Sequence, residues 1–219
     1  MARIVNSGSK SRSIMGGLSG KVGEFIYGNW KGIPYVRAKA VNVTNPKTAA
    51  QLDQRAKFTA IIKFLQPLTV FLRVGFKNDK APMSPFNAAM SYNFKNAITG
   101  TYPDYCIDYS RARVSQGHLP GALNPKVRIT LAGEIEYTWE DNSFEIDSMG
   151  NDKALLLVYN SSKQQAVFIV DGNTRYSGRQ VITLPSTFVG DEVQCYIGFQ
   201  NAKESAVSNS LFVGGLIVT

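Results

Sequence analysis

The residues of this chain that are able to do chemistry are few and poorly spaced for it. His118 is the only histidine. A nucleophile–histidine pair or a zinc site would rest on that residue alone, and both need further partners. It sits in Gln116-Gly117-His118-Leu119-Pro120-Gly121, a loop between strand-like segments, and is expected in a surface or packing role. Cys106 and Cys195 are the two cysteines. They lie far apart in the chain and make neither a disulfide framework nor a metal cluster. Two reduced, partly buried thiols are expected, with a single long-range bridge as the alternative.

Carboxylates cluster at Glu134, Glu136, Glu140, Asp141, Glu145 and Asp147. Paired acids can hydrolyse glycosides. Here Glu134 and Glu136 alternate with Ile135 and Tyr137, which puts the acids on one strand face, expected to be the wet one. Asp141, Asn142, Asp147 and Asp152 are oxygen donors of the kind calcium takes, but the EF-hand spacing is absent. Gly16-Gly17-Leu18-Ser19-Gly20-Lys21 has the glycines of a phosphate-cradling loop without the G-x-x-x-x-G-K-[ST] spacing. The expectation is therefore a protein with no catalytic residue, no cofactor and no metal, and not an enzyme.

Charge is divided along the chain. Residues 1–115 carry 17 Lys/Arg against 5 Asp/Glu, and residues 116–219 carry 7 against 11. The basic half interleaves Lys21, Lys31, Arg37, Lys39, Lys47, Arg55, Lys57 and Lys63 with Phe25, Tyr27, Trp30 and Tyr35. Cations beside aromatics can hold a nucleic-acid backbone and stack its bases. They can equally meet an acidic protein surface, and the acidic second half is one. Head-to-tail self-association follows as a hypothesis, since complementary patches steer and orient subunits.

The elements that would position these residues can be read in order. Residues 1–20 are rich in Ser and Gly and lack the apolar surface to offset ordering, so a mobile arm held by a neighbouring subunit is expected. No secretory signal is expected, because Gly16, Gly17, Ser19, Gly20 and Lys21 interrupt the apolar run one would need. No membrane span is expected either. Val22, Phe25, Tyr27 and Ile33, Tyr35, Val36 are β-formers around Asn29-Trp30-Lys31-Gly32, the pattern of a β-hairpin. Asn45-Pro46 breaks the chain, and Thr48 followed by Gln51 is a capping box. Leu52, Ala56, Phe58, Ile61, Ile62 and Leu65 then recur at helical spacing. Pro67 ends or kinks that helix, and a short second helix covers Leu68, Phe71, Leu72 and Val74. Ser84-Pro85 opens a third, marked by Phe86, Ala89, Met90, Phe94 and Ile98 and closed by Gly100.

From about residue 105 the pattern becomes short strands: 107–114, 126–131, 134–139, 154–160, 165–170, 179–184, 192–199 and 207–218. Turn residues separate them, as in an antiparallel sandwich. Trp139 ends the alternating Ile135, Tyr137, Trp139 as a core tryptophan would. Leu184-Pro185, Gly190-Asp191 and the following Val193, Cys195 and Tyr196 read as a strand-to-strand corner with its tyrosine. Both features resemble fibronectin type III and immunoglobulin-like modules over residues 126–219.

The chain as a whole resembles an uncharacterised family, a domain of unknown function common in Bacteroidetes and their phages. The resemblance is carried by Gly17-Leu18-Ser19-Gly20-Lys21-Val22-Gly23, Trp30-Lys31-Gly32, Val36-Arg37, Lys47-Thr48-Ala49-Ala50-Gln51 and Arg55-Ala56-Lys57-Phe58. Phe86-Asn87-Ala88-Ala89-Met90 and Val207-Ser208-Asn209-Ser210 complete it. It implies a basic N-terminal half joined to an immunoglobulin-like C-terminal half and transfers no catalytic residue.

The expected fold class is α+β. A basic arm, β-hairpin and three-helix region fill residues 1–104, and an antiparallel Ig/FnIII-like β-sandwich fills 105–219. The expected function is that of a non-enzymatic structural or interaction subunit of an ordered assembly, most readily a phage virion, located in a virion or a cytoplasm. Its partners would be copies of itself or other structural subunits. Leu18, Lys21, Phe25, Tyr27, Trp30, Tyr35 and Arg37 would make the contacts, with hairpin core as their other role. The alternatives are a nucleic-acid-binding accessory protein, using the same basic half, and a carbohydrate- or surface-binding module. The last would need exposed aromatics near Phe144 or Tyr176 on the sandwich rim.

Overall fold

The structure, a computed structural model, describes residues 3–4, 18–41, 47–77, 83–131 and 133–219. The arm expected over residues 1–20 and the break at Asn45-Pro46 lie largely outside the described residues. The protein is mostly β with antiparallel sheets, and the chain divides into two compact units, Met1–Lys47 and Thr48–Thr219.

The first unit is a sheet in the order β1 (Arg3–Ile4), β2 (Leu18–Val22), β3 (Phe25–Trp30), β4 (Ile33–Ala38). Two tight turns set its register. Gly23 opens the β2–β3 turn at φ +57°, and Lys31 and Gly32 make the β3–β4 turn at φ +51° and +87°. Two consecutive positive-φ residues match the twist of the flanking strands. The Oδ1 of Asn29 accepts from the amide of Gly32 at 2.8 Å and pins that turn.

The second unit begins with α1 (Ala49–Leu65). Thr48 caps it as the sequence implies, its Oγ1 accepting from the amide of Gln51 at 3.4 Å. Pro67 falls in a 3-10 turn at Gln66–Leu68, which leads into α2 (Thr69–Gly75). Ala49–Gly75 is thus one 27-residue helical run, long and apolar enough by length and composition to cross a membrane. The run is longer than the sequence pattern implies, because Pro67 falls in the 3-10 turn and the helix continues through it instead of ending there. Its inward side chains, Ile61, Phe64, Leu65, Leu68, Phe71 and Leu72, are sealed in the protein core. Phe58 and Ile62, expected on the same stripe, face outward, and Phe58 lies against Phe94 at 4.8 Å between ring centroids. α3 (Pro85–Asn96) is capped by Ser84, whose Oγ accepts from the amide of Asn87.

Next come the paired β5 (Ile98–Thr101) and β6 (Asp104–Ile107). The strand expected over 107–114 stops at Ile107. Asp108 Oδ1 accepts from the amide and hydroxyl of Ser110, and this local bonding turns the backbone away from a ladder.

Two antiparallel sheets follow. One has the order β11 (Arg179–Thr183), β8 (Glu134–Glu140), β7 (Leu123–Leu131). The other has the order β10 (Gln165–Ile169), β9 (Lys153–Asn160), β12 (Glu192–Gln200), β13 (Leu211–Ile217). Ile135, Tyr137, Trp139 and Ile182 of the first sheet share a core with Leu156, Val158, Val193, Cys195 and Ile197 of the second. The opposite face of the second sheet presents Leu155, Leu157, Tyr159 and Tyr196 to a core with α1, α2 and α3. β9 and β12 are therefore buried on both faces, which is why they read as unbroken apolar runs.

This packing places the boundary expected at 104/105 inside a single unit. The inner face of the helices is closed by the sheet, so the division falls at 47/48 instead. The expected tyrosine corner also differs. Tyr196 donates to the carbonyl of Tyr109 at 2.8 Å, far from the corner itself, and ties the 108–116 segment to the sheet.

Candidate interaction surface

Strand alternation sorts the seven expected contact residues onto two faces of the N-terminal sheet. Val22 pairs with Phe25 and Phe25 with Ala38, while Gly20 pairs with Tyr27 and Tyr27 with Val36. One face therefore carries Val22, Phe25, Tyr27 and Val36. Leu18 falls in the same β2 register by its backbone. On the other face, Lys21, Ile26 and Arg37 form one cross-strand row, Gly28 and Tyr35 the next, and Trp30 and Ile33 the last. Lys21, Trp30, Tyr35 and Arg37 are thus brought together, and Phe25 and Tyr27 are turned away from them.

The hairpin-core role for Lys21, Phe25, Tyr27, Trp30, Tyr35 and Arg37 fails on exposure. None of residues 19–41 is buried. Val22 is 47% exposed, Phe25 52%, Trp30 56%, Ile33 69% and Tyr35 45%. One sheet presents aromatic and aliphatic surface on both sides. The second face also has a built feature: the ring of Tyr35 crosses Gly28, where an added Cβ would stand 2.5 Å from Cζ. Glycine opposite an aromatic lets the ring lie over the neighbouring backbone.

The residues weighed for catalysis are placed elsewhere in the fold. His118 is exposed in its loop. Cys106 is exposed and Cys195 buried, both as free thiols, and burial pushes the Cys195 thiol up to about 11. Glu136 is covered on the outer face of β8 by Arg128, whose Nε and Nη2 each approach its Oε2 at 2.6 Å.

Asp152 and Asn142, considered as calcium ligands, instead hold the guanidinium of Arg175. Its Nε donates to Asp152 Oδ2 at 3.2 Å and its Nη1 to Asn142 Oδ1 at 2.6 Å. The carbonyls of Gly121 and Pro120 accept from Nη1 and Nη2, and the Phe199 ring lies 3.9 Å from Cζ. Burial holds the pKa of Arg175 below its ordinary value, against the opposing pull of the neighbouring Asp152 carboxylate. Trp139 Nε1 donates to the Arg175 carbonyl at 2.7 Å, so the core tryptophan and this hub fix each other. No signal in the sequence marks Arg175, because it lies in a turn where a solvated side chain is the ordinary reading.

A second polar cluster joins α1 to β6. Asp53 accepts from the Tyr105 hydroxyl and pairs with Lys57 at 2.8 Å, and the Lys57 ammonium lies 5.1 Å from the Tyr105 ring centroid. The bond from Lys57, then that from Tyr105, lowers the Asp53 pKa; the bond to Asp53 raises those of Lys57 and Tyr105.

Residues 17–214 match the model of a family of unknown function, DUF6266, and the chain belongs to that family. No curated protein matches. Among solved structures it is similar to the twitchin kinase region from C. elegans (Fn31-NL-kin-CRD-Ig26). That match has 10% identity and a TM-score of 0.35, and covers 47% of this chain and 17% of that one.

Proposed function

We propose that this member of the DUF6266 family is a non-enzymatic subunit of an ordered assembly, and that its N-terminal sheet is the surface by which one copy engages the next. The two-sided exposure of that sheet carries the reading. Sheets need an apolar face covered to be stable, and covering the exposed parts of Val22, Phe25, Trp30, Ile33 and Tyr35 would return about 1 kcal/mol apiece. The occupant we assign is a second copy of this chain. Lys21, Lys31, Arg37 and Lys39 make the sheet basic, while residues 116–219 carry 7 Lys/Arg against 11 Asp/Glu. Opposite charges of this kind orient head-to-tail contacts, which grow into rings or filaments.

The two facing sheets would then serve as an Ig/FnIII-like spacer or contact module. Their partition supports it: the first, second and fifth of seven strands lie in one sheet, and the fourth, third, sixth and seventh in the other. A phage virion is the setting we propose. Light scattering of the purified protein at low and high salt tests the reading. Large, salt-sensitive assemblies that persist after nuclease treatment are expected, and a stable monomer at both salts would sink it.

A second reading, a carbohydrate- or surface-binding module, is favoured by one observation. Phe144 and Tyr176 are 79% and 75% exposed beside the Arg175 hub. Aromatic surface on rigid support suits ring-stacking recognition. Retention on polysaccharide columns that Phe144→Ala and Tyr176→Ala abolish would support it.

A further inference from the structure

We infer that the trough between α3 and the 110–113 segment is a binding site for the phosphates of a nucleic-acid strand. This surface is distinct from the N-terminal sheet. A cavity of about 460 Å³ is lined by Tyr92, Asn96, Ser110, Arg111, Arg113 and Phe212 among others. A second, of about 190 Å³, shares Tyr92 and Asn96 with it and adds Lys95, Ser91 and Gln116. Among the described residues, neither lining contains a carboxylate. The nearby Asp108 is engaged by Ser110 through Oδ1. Three cations, Arg111, Arg113 and Lys95, with neutral donors beside them form an anion trough among the described residues.

The trough is also built to stay in place. Asn93, fully buried on α3, donates from Nδ2 to the Arg113 carbonyl at 2.8 Å and accepts at Oδ1 from the Arg113 amide at 2.9 Å. The next residues are bound by Ser210, whose Oγ accepts from the amide of Val114 at 2.9 Å. The Arg113 guanidinium lies 4.6 Å from the Tyr92 ring centroid, and its Nη1 reaches Asn209 Oδ1 at 3.5 Å. A stacked arginine on a clamped backbone has lost much of its freedom before any ligand arrives, which lowers the cost of binding. Planar guanidinium forks suit phosphate oxygens. Two adjoining cavities that share Tyr92 and Asn96 suit consecutive phosphates of a strand better than one isolated anion.

The test is fluorescence anisotropy of a labelled oligothymidylate with the full chain, over about 50 to 200 mM salt. Binding is expected to weaken with salt. The exposed pair Arg111→Ala and Lys95→Ala should cost severalfold in affinity and lower the slope of log K against log salt by about 0.7 per cation. Arg113→Lys, which keeps the charge and loses the stacked fork, should weaken binding as well. The inference is overturned by no binding at all, or by unchanged binding in the Arg111/Lys95 variant. It is also overturned if Lys21→Ala with Lys31→Ala accounts for the whole loss, or if polyglutamate competes as well as unlabelled oligothymidylate.

Discussion

Arg175 donates from Nε to Oδ2 of Asp152 at 3.2 Å, and both side chains are sealed from solvent. A buried pair of this kind is costly to break, because removing one partner strands the other charge in a low-dielectric interior. Arg175→Ala should cost about 3–5 kcal/mol, or on the order of 10 °C in melting temperature for a chain of this size. Asp152→Asn added to it should recover part of that loss, since the stranded carboxylate is gone. Thermal melts of the single and double variants measure both effects. A single variant melting within a degree or two of the parent would show that the hub contributes little.

Thiol chemistry reports the second core directly. Cys106 is exposed, whereas Cys195 lies between the two sheets with its thiol pushed up to about 11 by burial. Thiolate is the reactive form, so a buried thiol raised in this way is inert. A colourimetric disulfide reagent at neutral pH should titrate one thiol in the native protein and a second only in denaturant. Fast reaction of both would mean that the two-sheet core opens readily.

Much of this fold is written locally. Thr48 with Gln51, and Ser84 with Pro85, are cap signals whose hydrogen bonds act within one helical turn, and the helices begin where they stand. The alternation Ile135, Tyr137, Trp139 likewise fixes which face of β8 is inside. What escapes such reading depends on distant partners. The run Ala154–Tyr159 is apolar at every position because one layer covers each face, and only the assembled fold says which layers these are. The contact residues were legible as a group of aromatics and cations, but their sorting onto two faces required the register of β2, β3 and β4. Arg111 and Arg113 lay in a segment that reads as strand and is held instead by Asp108, Asn93 and Ser210.

The Asp53–Tyr105 tie has a defined pH window. The Asp53 pKa is lowered on folding, so its contribution is present above the ordinary carboxylate range and is lost as pH falls through the folded value. The Tyr105 and Lys57 pKa values are raised, so theirs is present below about pH 10 and is lost as pH rises through the folded values. Tyr105→Phe should therefore lower the melting temperature between about pH 4 and about pH 10, with the gap from the parent closing at both ends. Melts of the two proteins across pH measure the gap, and a constant difference at all pH values would remove the tie as its cause.

The two faces of the N-terminal sheet can be tested apart. Trp30 and Ile33 form a cross-strand pair on the face with Lys21, Tyr35 and Arg37, while Phe25 and Tyr27 lie on the other. All are half-buried or exposed, so polar replacements should cost little folding stability. If the cationic face meets an acidic neighbour, Trp30→Ser with Ile33→Ser should abolish assembly, and Arg37→Glu should do so most severely at low salt, where charge acts furthest. Gly28→Val, which forces the Tyr35 ring off its neighbour strand, should weaken assembly in the same direction. Phe25→Ser with Tyr27→Ser then decides whether the interface is one-sided. Assembly that survives this pair assigns the contact to the cationic face; assembly lost with either pair means that the sheet is enclosed on both sides, as the middle layer of a stack. Sedimentation velocity on the four variants separates these outcomes, and unchanged sedimentation in all of them would exclude the sheet as the subunit contact.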